Sequence, residues 1–318
     1  MSSAPDGFRP LRIAAVRQAA DRILSIDLCD PGGVALPAWT PGAHIDVVAG
    51  PGRVRQYSLC GDPADRSVLR IAVQREPGGG GSAHLHDTAA PGATLLVGEP
   101  RSHFGLVPAR RHKFVAGGIG ITPLLPMLVE ASRRGEPWSL LYGARSHAAM
   151  AFSNEIAALG GDVALVAQDT DGMPDIGAHL GPYEDGDVAY VCGPSGMIEA
   201  VEAHCWDWPS MSVRKERFAA SAPAQPDADV GSFEVSLARS RRTLTVGAHE
   251  SILEALERAG LDVPSSCQAG ICGACETRVL AGVPLHNDDV LTDEERARND
   301  VMMVCVSRCR EGPLILDR

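Results

Sequence analysis

Pro264-Ser265-Ser266-Cys267-Gln268-Ala269-Gly270-Ile271-Cys272-Gly273-Ala274-Cys275 is the stretch on which the reading of this chain turns. Its cysteines are spaced C-x4-C-x2-C, and a fourth, Cys305, follows about 30 residues later. That is the ligand spacing of a plant-type 2Fe–2S cluster. Three ligands on one short loop need a backbone that wraps tightly, and Gly270 and Gly273 permit the turns. Loop amides can then hydrogen-bond the sulfurs and tune the potential. A zinc site usually pairs two C-x2-C arms, and only one is present. Disulfides would imply an oxidising compartment, yet Met1–Asp6 shows neither the basic start nor the apolar stretch of a signal peptide. Cys267, Cys272, Cys275 and Cys305 are therefore expected to hold a 2Fe–2S cluster. The other cysteines, Cys29, Cys60, Cys192, Cys205 and Cys309, are scattered and read as small buried hydrophobes.

Upstream of the loop, Phe233–Leu237 and Leu244–Val246 read as strands joined by a turn at Arg239-Ser240. Glu250–Ala259 reads as a helix with Ile252, Leu253, Leu256 and Ala259 on one face and Gly260 at its C-cap. Strand, strand, helix, cluster loop is the order of a β-grasp ferredoxin domain, here residues 231–318. Before it, residues 220–230 are rich in Ala, Pro and Asp and read as a linker. Residues 1–108 carry short apolar runs between Gly and Pro breaks, the pattern of an antiparallel β-barrel. Residues 109–219 alternate strands with helices, the pattern of a parallel α/β nucleotide-binding domain. The fold class is thus multidomain, α+β and α/β, on a chain of 318 residues.

Bulk properties narrow the function classes. The net charge of −11 argues against nonspecific nucleic-acid binding. The longest uncharged stretch, Phe114–Val129, is too short and too broken by Gly and Pro to span a membrane. The chain is expected to be cytoplasmic.

Three further motifs carry chemistry. Arg55-Gln56-Tyr57-Ser58 ends a barrel strand: Arg55 suits a phosphate, Tyr57 offers a flat ring to a flavin, and Ser58 a hydrogen bond near its N5. Gly78-Gly79-Gly80-Gly81-Ser82 can form a nest of amides around a phosphate. Gly117-Gly118-Ile119-Gly120-Ile121-Thr122-Pro123 follows a buried strand and precedes a helix, the position of a pyrophosphate turn, although Pro123 replaces the third glycine of G-x-G-x-x-G. Cys192-Gly193-Pro194 closes a later strand with small residues that let a nicotinamide approach. His84 and His86 are expected in a polar loop, and these, like His44, His103 and His112, read as solvated or satisfied rather than metal-binding. No Cys-x-His arm of a Rieske centre occurs, so the chain is not expected to be a terminal oxygenase.

Taken together and in this order, the motifs resemble the phthalate dioxygenase reductase family, which includes vanillate demethylase reductases, over nearly the whole chain. The resemblance implies FMN, NADH and a 2Fe–2S cluster as cofactors. It implies that Arg55, Gln56, Tyr57, Ser58, Ala72, Val73, Gln74, Gly80, Gly81, Ser82 and Thr122 surround FMN, with Gln56 and Gln74 contributing mainly backbone, and that Phe218 covers the isoalloxazine. Gly118, Gly120, Cys192, Gly193 and Pro194 would border NADH, with Arg145 and Asp169 on the adenosine side. No side chain need act as nucleophile. The implied activity is that of a reductase passing electrons from NADH through FMN and the cluster to a separate Rieske-type oxygenase. An FAD-containing NAD(P)H reductase with another acceptor and a non-catalytic iron–sulfur redox sensor are the alternatives. The acidic run Gln168-Asp169-Thr170-Asp171 favours NADH over NADPH, against the opposing pull of Arg145.

Overall fold

The computed structural model describes residues 7–50, 53–77, 79–218, 231–265, 267–271 and 273–318. Contacts group the chain into one unit up to Glu216 and a second from Arg217 to the C-terminus. The expected linker, residues 220–230, and Cys272, one of the expected cluster ligands, lie outside the described residues.

The first sheet is built from β1 (Arg9–Ala20), β2 (Ile23–Cys29), β3 (His44–Val48), β4 (Val54–Ser58), β5 (Leu69–Gln74) and β6 (Thr94–Val97). Every pairing is antiparallel, in the order β4-β3-β6-β1-β2-β5. Two register shifts in β1 bend it, and a single bridge, Leu59–Ile71, joins the two sheet edges. The result is the curled sheet expected from the apolar runs. Its interior packs Leu11, Ile13, Ile26, Leu28, Ile45, Val47, Ile71 and Val73. One end is plugged by α1 (Gly81–Thr88), which buries Leu85 completely.

The second sheet, β7 (Arg111–Gly117), β8 (Trp138–Ala144), β9 (Asp162–Ala167), β10 (Asp187–Cys192) and β11 (Val213–Glu216), is wholly parallel in the order β11-β10-β7-β8-β9. Parallel strands covered on both faces read as continuous apolar runs, and β10 is buried at every residue. On one face Phe114, Leu140, Tyr142 and Tyr190 pack under α2 (Ile121–Arg134) and beside α3 (Ser153–Ala157). That core also takes in Ile23, Cys60, Ala72 and Phe104 from the first sheet region, which explains why the two sheets form one unit. On the other face Val115, Ala189 and Val191 pack under α6 (Ser195–His204), with Leu180 of α5 (Ile176–Leu180) and Trp208. Between β9 and α5 lies the one-turn α4 (Gln168–Asp171).

In the second unit β12 (Phe233–Leu237), β13 (Arg242–Val246), β14 (Glu276–Leu285), β15 (Val301–Met303) and β16 (Arg308–Leu316) form a mixed sheet in the order β13-β12-β16-β14-β15. Only the β12–β16 pairing is parallel. The expected helix is α7 (Ile252–Arg258). It opens on a complete capping box, Ser251 and Glu254, and buries Ile252, Leu253, Ala255 and Leu256 against the sheet. A short α8 (Asp293–Arg298) follows β14. Among the described residues no helix is long and apolar enough to cross a membrane.

Candidate functional site

In the second unit, Cys275 and Cys305 are both buried, and their thiols are close enough to perturb each other. The Cys305 thiol pulls Cys275 below the ordinary thiol range. Cys305 is pushed up by the neighbouring Cys275 side chain, and burial adds to the rise. Cys267 adds repulsion to both, so it faces the same space. Its sulfur also accepts a hydrogen bond from the Ala269 N–H at 3.4 Å. Among the described residues no three His, Cys, Asp or Glu converge on a single ion. With Cys272 outside those residues, the arrangement fits four thiolates shared over two irons.

The loop is held by a brace. The Asp289 N–H donates to the Gly270 carbonyl at 2.8 Å, and Asn287 Nδ2 donates to the Val306 carbonyl at 3.1 Å, beside the fourth cysteine. Gly270 has φ +72°, and a Cβ there would meet Val306 Cγ2 at 2.6 Å. The buried Asp288 carboxylate accepts the N–H groups of Val290 and Leu291, which fixes the brace itself. Cys309 sits elsewhere, on β16 opposite Pro284, its thiol donating to the Gly312 carbonyl.

In the first unit, Arg55, Gln56, Tyr57 and Ser58 lie along β4, and Ala72, Val73 and Gln74 along β5. A Cβ on Gly81 would lie 3.0 Å from Arg55 Cγ, so the arginine stem runs against the first turn of α1. The N-cap of that helix, Gly80, supplies no side-chain cap. The first-turn amides therefore need another acceptor, and the stem of the exposed Arg55, whose Nη1 donates to the Val54 carbonyl at 2.8 Å, runs past them. This pairing fits a phosphate. Ser82 Oγ accepts from the Glu76 N–H at 3.1 Å and keeps its own proton to donate. Burial pushes Tyr57 up to about 12, so its phenol is neutral. The Thr122 hydroxyl donates to the Ile119 carbonyl at 2.9 Å and braces its own turn. Phe218 is half exposed.

His84 and His86 correct an expectation: they lie on α1, not in a loop. Two residues apart on a helix, they point to different sides. The His86 ring bonds the Val73 carbonyl at 2.8 Å, while the His84 ring lies against Gly50. His112 is buried and pairs with Glu136 at 2.8 Å.

The turns after β7 and β10 are in contact. A Cβ on Gly120 would meet the Cys192 carbonyl oxygen at 2.1 Å, and one on Gly117 would meet Pro194 Cδ at 2.5 Å. Gly118–Gly120 forms a single 3-10 turn that runs straight into α2. On the other side of β7, the Asp169 N–H donates to the Arg145 carbonyl at 3.1 Å, which ties the ends of β8 and β9. Asp171 is used internally, its carboxylate accepting the Ala167 N–H at 2.8 Å.

Glu216 was not foreseen. It ends β11 in register with Cys192, and its Oε2 is fully covered with no hydrogen-bond partner. Burial pushes its carboxyl up to about 8. Cys192 is raised by burial and then by Glu216. The only sequence hint was the position of Glu216 two residues before Phe218.

The 2Fe-2S iron-sulfur cluster binding domain family matches residues 235–310, and the oxidoreductase NAD-binding domain family matches residues 114–203. The chain is 46% identical over 312 residues to phenoxybenzoate dioxygenase subunit beta of Ectopseudomonas oleovorans, covering 96% of each. The solved structure of phthalate dioxygenase reductase superposes with a TM-score of 0.72 at 36% identity, covering 98% of both chains. An intact type IV self-sufficient cytochrome P450 monooxygenase superposes with a TM-score of 0.93 at 38% identity. All of this chain is covered there, but it spans only 43% of that longer polypeptide.

Two outcomes are expected. Cys305→Ser loses or badly weakens 2Fe–2S absorbance while Cys309→Ser largely keeps it, because Cys305, and not Cys309, lies beside Cys275; equal loss in both variants would reassign the fourth ligand. Glu216 contributes stability that is fully present below its ordinary value near 4.5 and is lost as pH rises to about 8. Between pH 5 and 9 the wild type should therefore lose roughly 2 kcal/mol relative to Glu216→Gln in chemical denaturation, after allowance for its partial exposure.

Proposed function

This chain belongs to the phthalate dioxygenase reductase family of oxygenase-system reductases, and from that premise we propose that it passes electrons from NADH through FMN and its 2Fe–2S cluster to a separate Rieske-type oxygenase. Its cofactors are FMN, NADH and the 2Fe–2S cluster. The observation that carries the reading is the coexistence on one chain of the Arg55–α1 phosphate cradle, the touching Gly120 and Cys192 turns, and the Cys275–Cys305 pair. Bound FMN supplies the exchange between a two-electron hydride donor and one-electron delivery to the cluster.

The chain's own residues supply placement. Arg55 and the first-turn amides of α1 take the flavin phosphate, and Ser58 and Tyr57 border the ring system. Gly118 and Gly120 take the pyrophosphate on the turn into α2, where the helix N-terminus favours an anion. Cys192, Gly193 and Pro194 leave room for the nicotinamide because small residues line that strand end. Glu216 Oε2 keeps its proton at neutral pH, so the hydride end of the site carries no carboxylate charge. Cys267, Cys272, Cys275 and Cys305 hold the cluster. The proposed domain limits are 1–108, 109–219 and 231–318; contacts group the chain more coarsely, with a single cut after Glu216.

A second reading of the acceptor has support of its own. The similarity to a self-sufficient cytochrome P450 monooxygenase suits a haem oxygenase partner. Stopped-flow reduction of a purified Rieske oxygenase and of a P450, each mixed with NADH-reduced protein, separates the two. Rapid reduction of the P450 alone would displace the Rieske assignment.

Two further results are expected. Arg55→Ala releases FMN on dilution, since a charge-assisted phosphate contact is worth roughly 1.5–3 kcal/mol, while the 2Fe–2S spectrum stays; unchanged FMN affinity would move the phosphate site. With ferricyanide as acceptor, kcat/KM is higher for NADH than for NADPH, because Asp169 stands at the end of β9 where a 2′-phosphate would lie. The reverse order would show that Arg145 dominates.

A further inference from the structure

Met173 is 78% exposed, and its backbone is fixed on both sides. Before it, Gly172 leaves α4 with φ +81°, and α4 is closed by the Asp171 carboxylate on the Ala167 N–H. After it, Pro174 rests on the end of β8: a Cβ on Gly143 would lie 2.7 Å from Pro174 Cγ. Asp175 then caps α5 through the Ala178 N–H at 2.9 Å. A large apolar side chain is thus held in water on a short, pinned segment. Burying a methionine is worth roughly 1.5–3 kcal/mol, so a rigidly presented one is poised for an occupant.

Its place in the fold names the occupant. Ligands of open parallel sheets lie across the carboxyl ends of the strands. With the pyrophosphate on the turn after β7 and the nicotinamide at the end of β10, the strand order leaves the ends of β8 and β9 for the adenosine half. Arg145 and Asp169 stand there, joined by their backbone hydrogen bond, and the Gly172–Pro174 segment crosses the same edge. Asp169 suits a ribose hydroxyl, and Arg145 suits a phosphate or can lie against one face of a purine. Met173 offers an apolar surface, and a thioether packs well on an aromatic ring.

We infer that Met173 is the platform on which the adenine ring of NADH stacks, an assignment that rests on the nicotinamide-dependent reading above. The test uses the full-length flavin- and cluster-loaded protein. Calorimetric titration with ADP-ribose should give an affinity roughly three- to tenfold weaker for Met173→Ala and within about twofold of wild type for Met173→Phe. In ferricyanide turnover, Met173→Ala should raise KM for NADH by a similar factor with kcat unchanged. Its KM for reduced nicotinamide mononucleotide, which has no adenine, should not move. Wild-type ADP-ribose affinity in Met173→Ala, or an equal rise in KM for both reductants, would overturn the assignment. Failure of the wild type to bind ADP-ribose or oxidise NADH would overturn the nicotinamide reading itself, and the adenine platform with it.

Discussion

The backbones after β7 and β10 meet with no room for a side chain between them. The Cys192 carbonyl occupies the space that a Cβ on Gly120 would need, and Pro194 the space of one on Gly117. Much of the nucleotide end follows from that contact. It sets the start of α2 at Ile121, directly above the neighbouring strand end. It brings Cys192 to full burial, and register sets Glu216 of β11 beside it with its Oε2 covered. Covering the carboxyl disfavours its charged form, so it keeps its proton.

The electron-handling loop depends on a different core. Val235, Leu244, Leu253, Leu256, Met302 and Leu314 pack in one cluster with Cys275 and Cys305. Two of the four thiols thus belong to the hydrophobic interior of their own unit. Low dielectric around buried sulfur makes each backbone amide that points at it count for more, and such amides are a lever on reduction potential.

The 2Fe–2S domain and the glycine turns were legible because their chemistry is local. Spacing along the chain is itself the geometric requirement for Cys267 and Cys275, and G-I-G between an apolar run and a helix admits few structures. Tertiary effects were not legible. β1 is rich in Ala and Arg and alternates only in part, since its two bulges shift the face it presents. The helix carrying His84 and His86 begins on glycine, a poor helix former. It exists because Leu85 fills the end of the curled sheet. Glu216 reads as one more surface acid, and only its pairing with the buried end of β10 changes that.

The brace at Asn287–Leu291 ties together two stretches that lie far apart in the sequence. Its hydrogen bonds run to Gly270 on the three-cysteine loop and to Val306 beside Cys305. Capping by Asp288 completes the brace from within. The Gly270 and Val306 carbonyls are thus fixed to one short segment by peptide and amide hydrogen bonds, so a substitution at Asp288 reaches both stretches without touching a thiol.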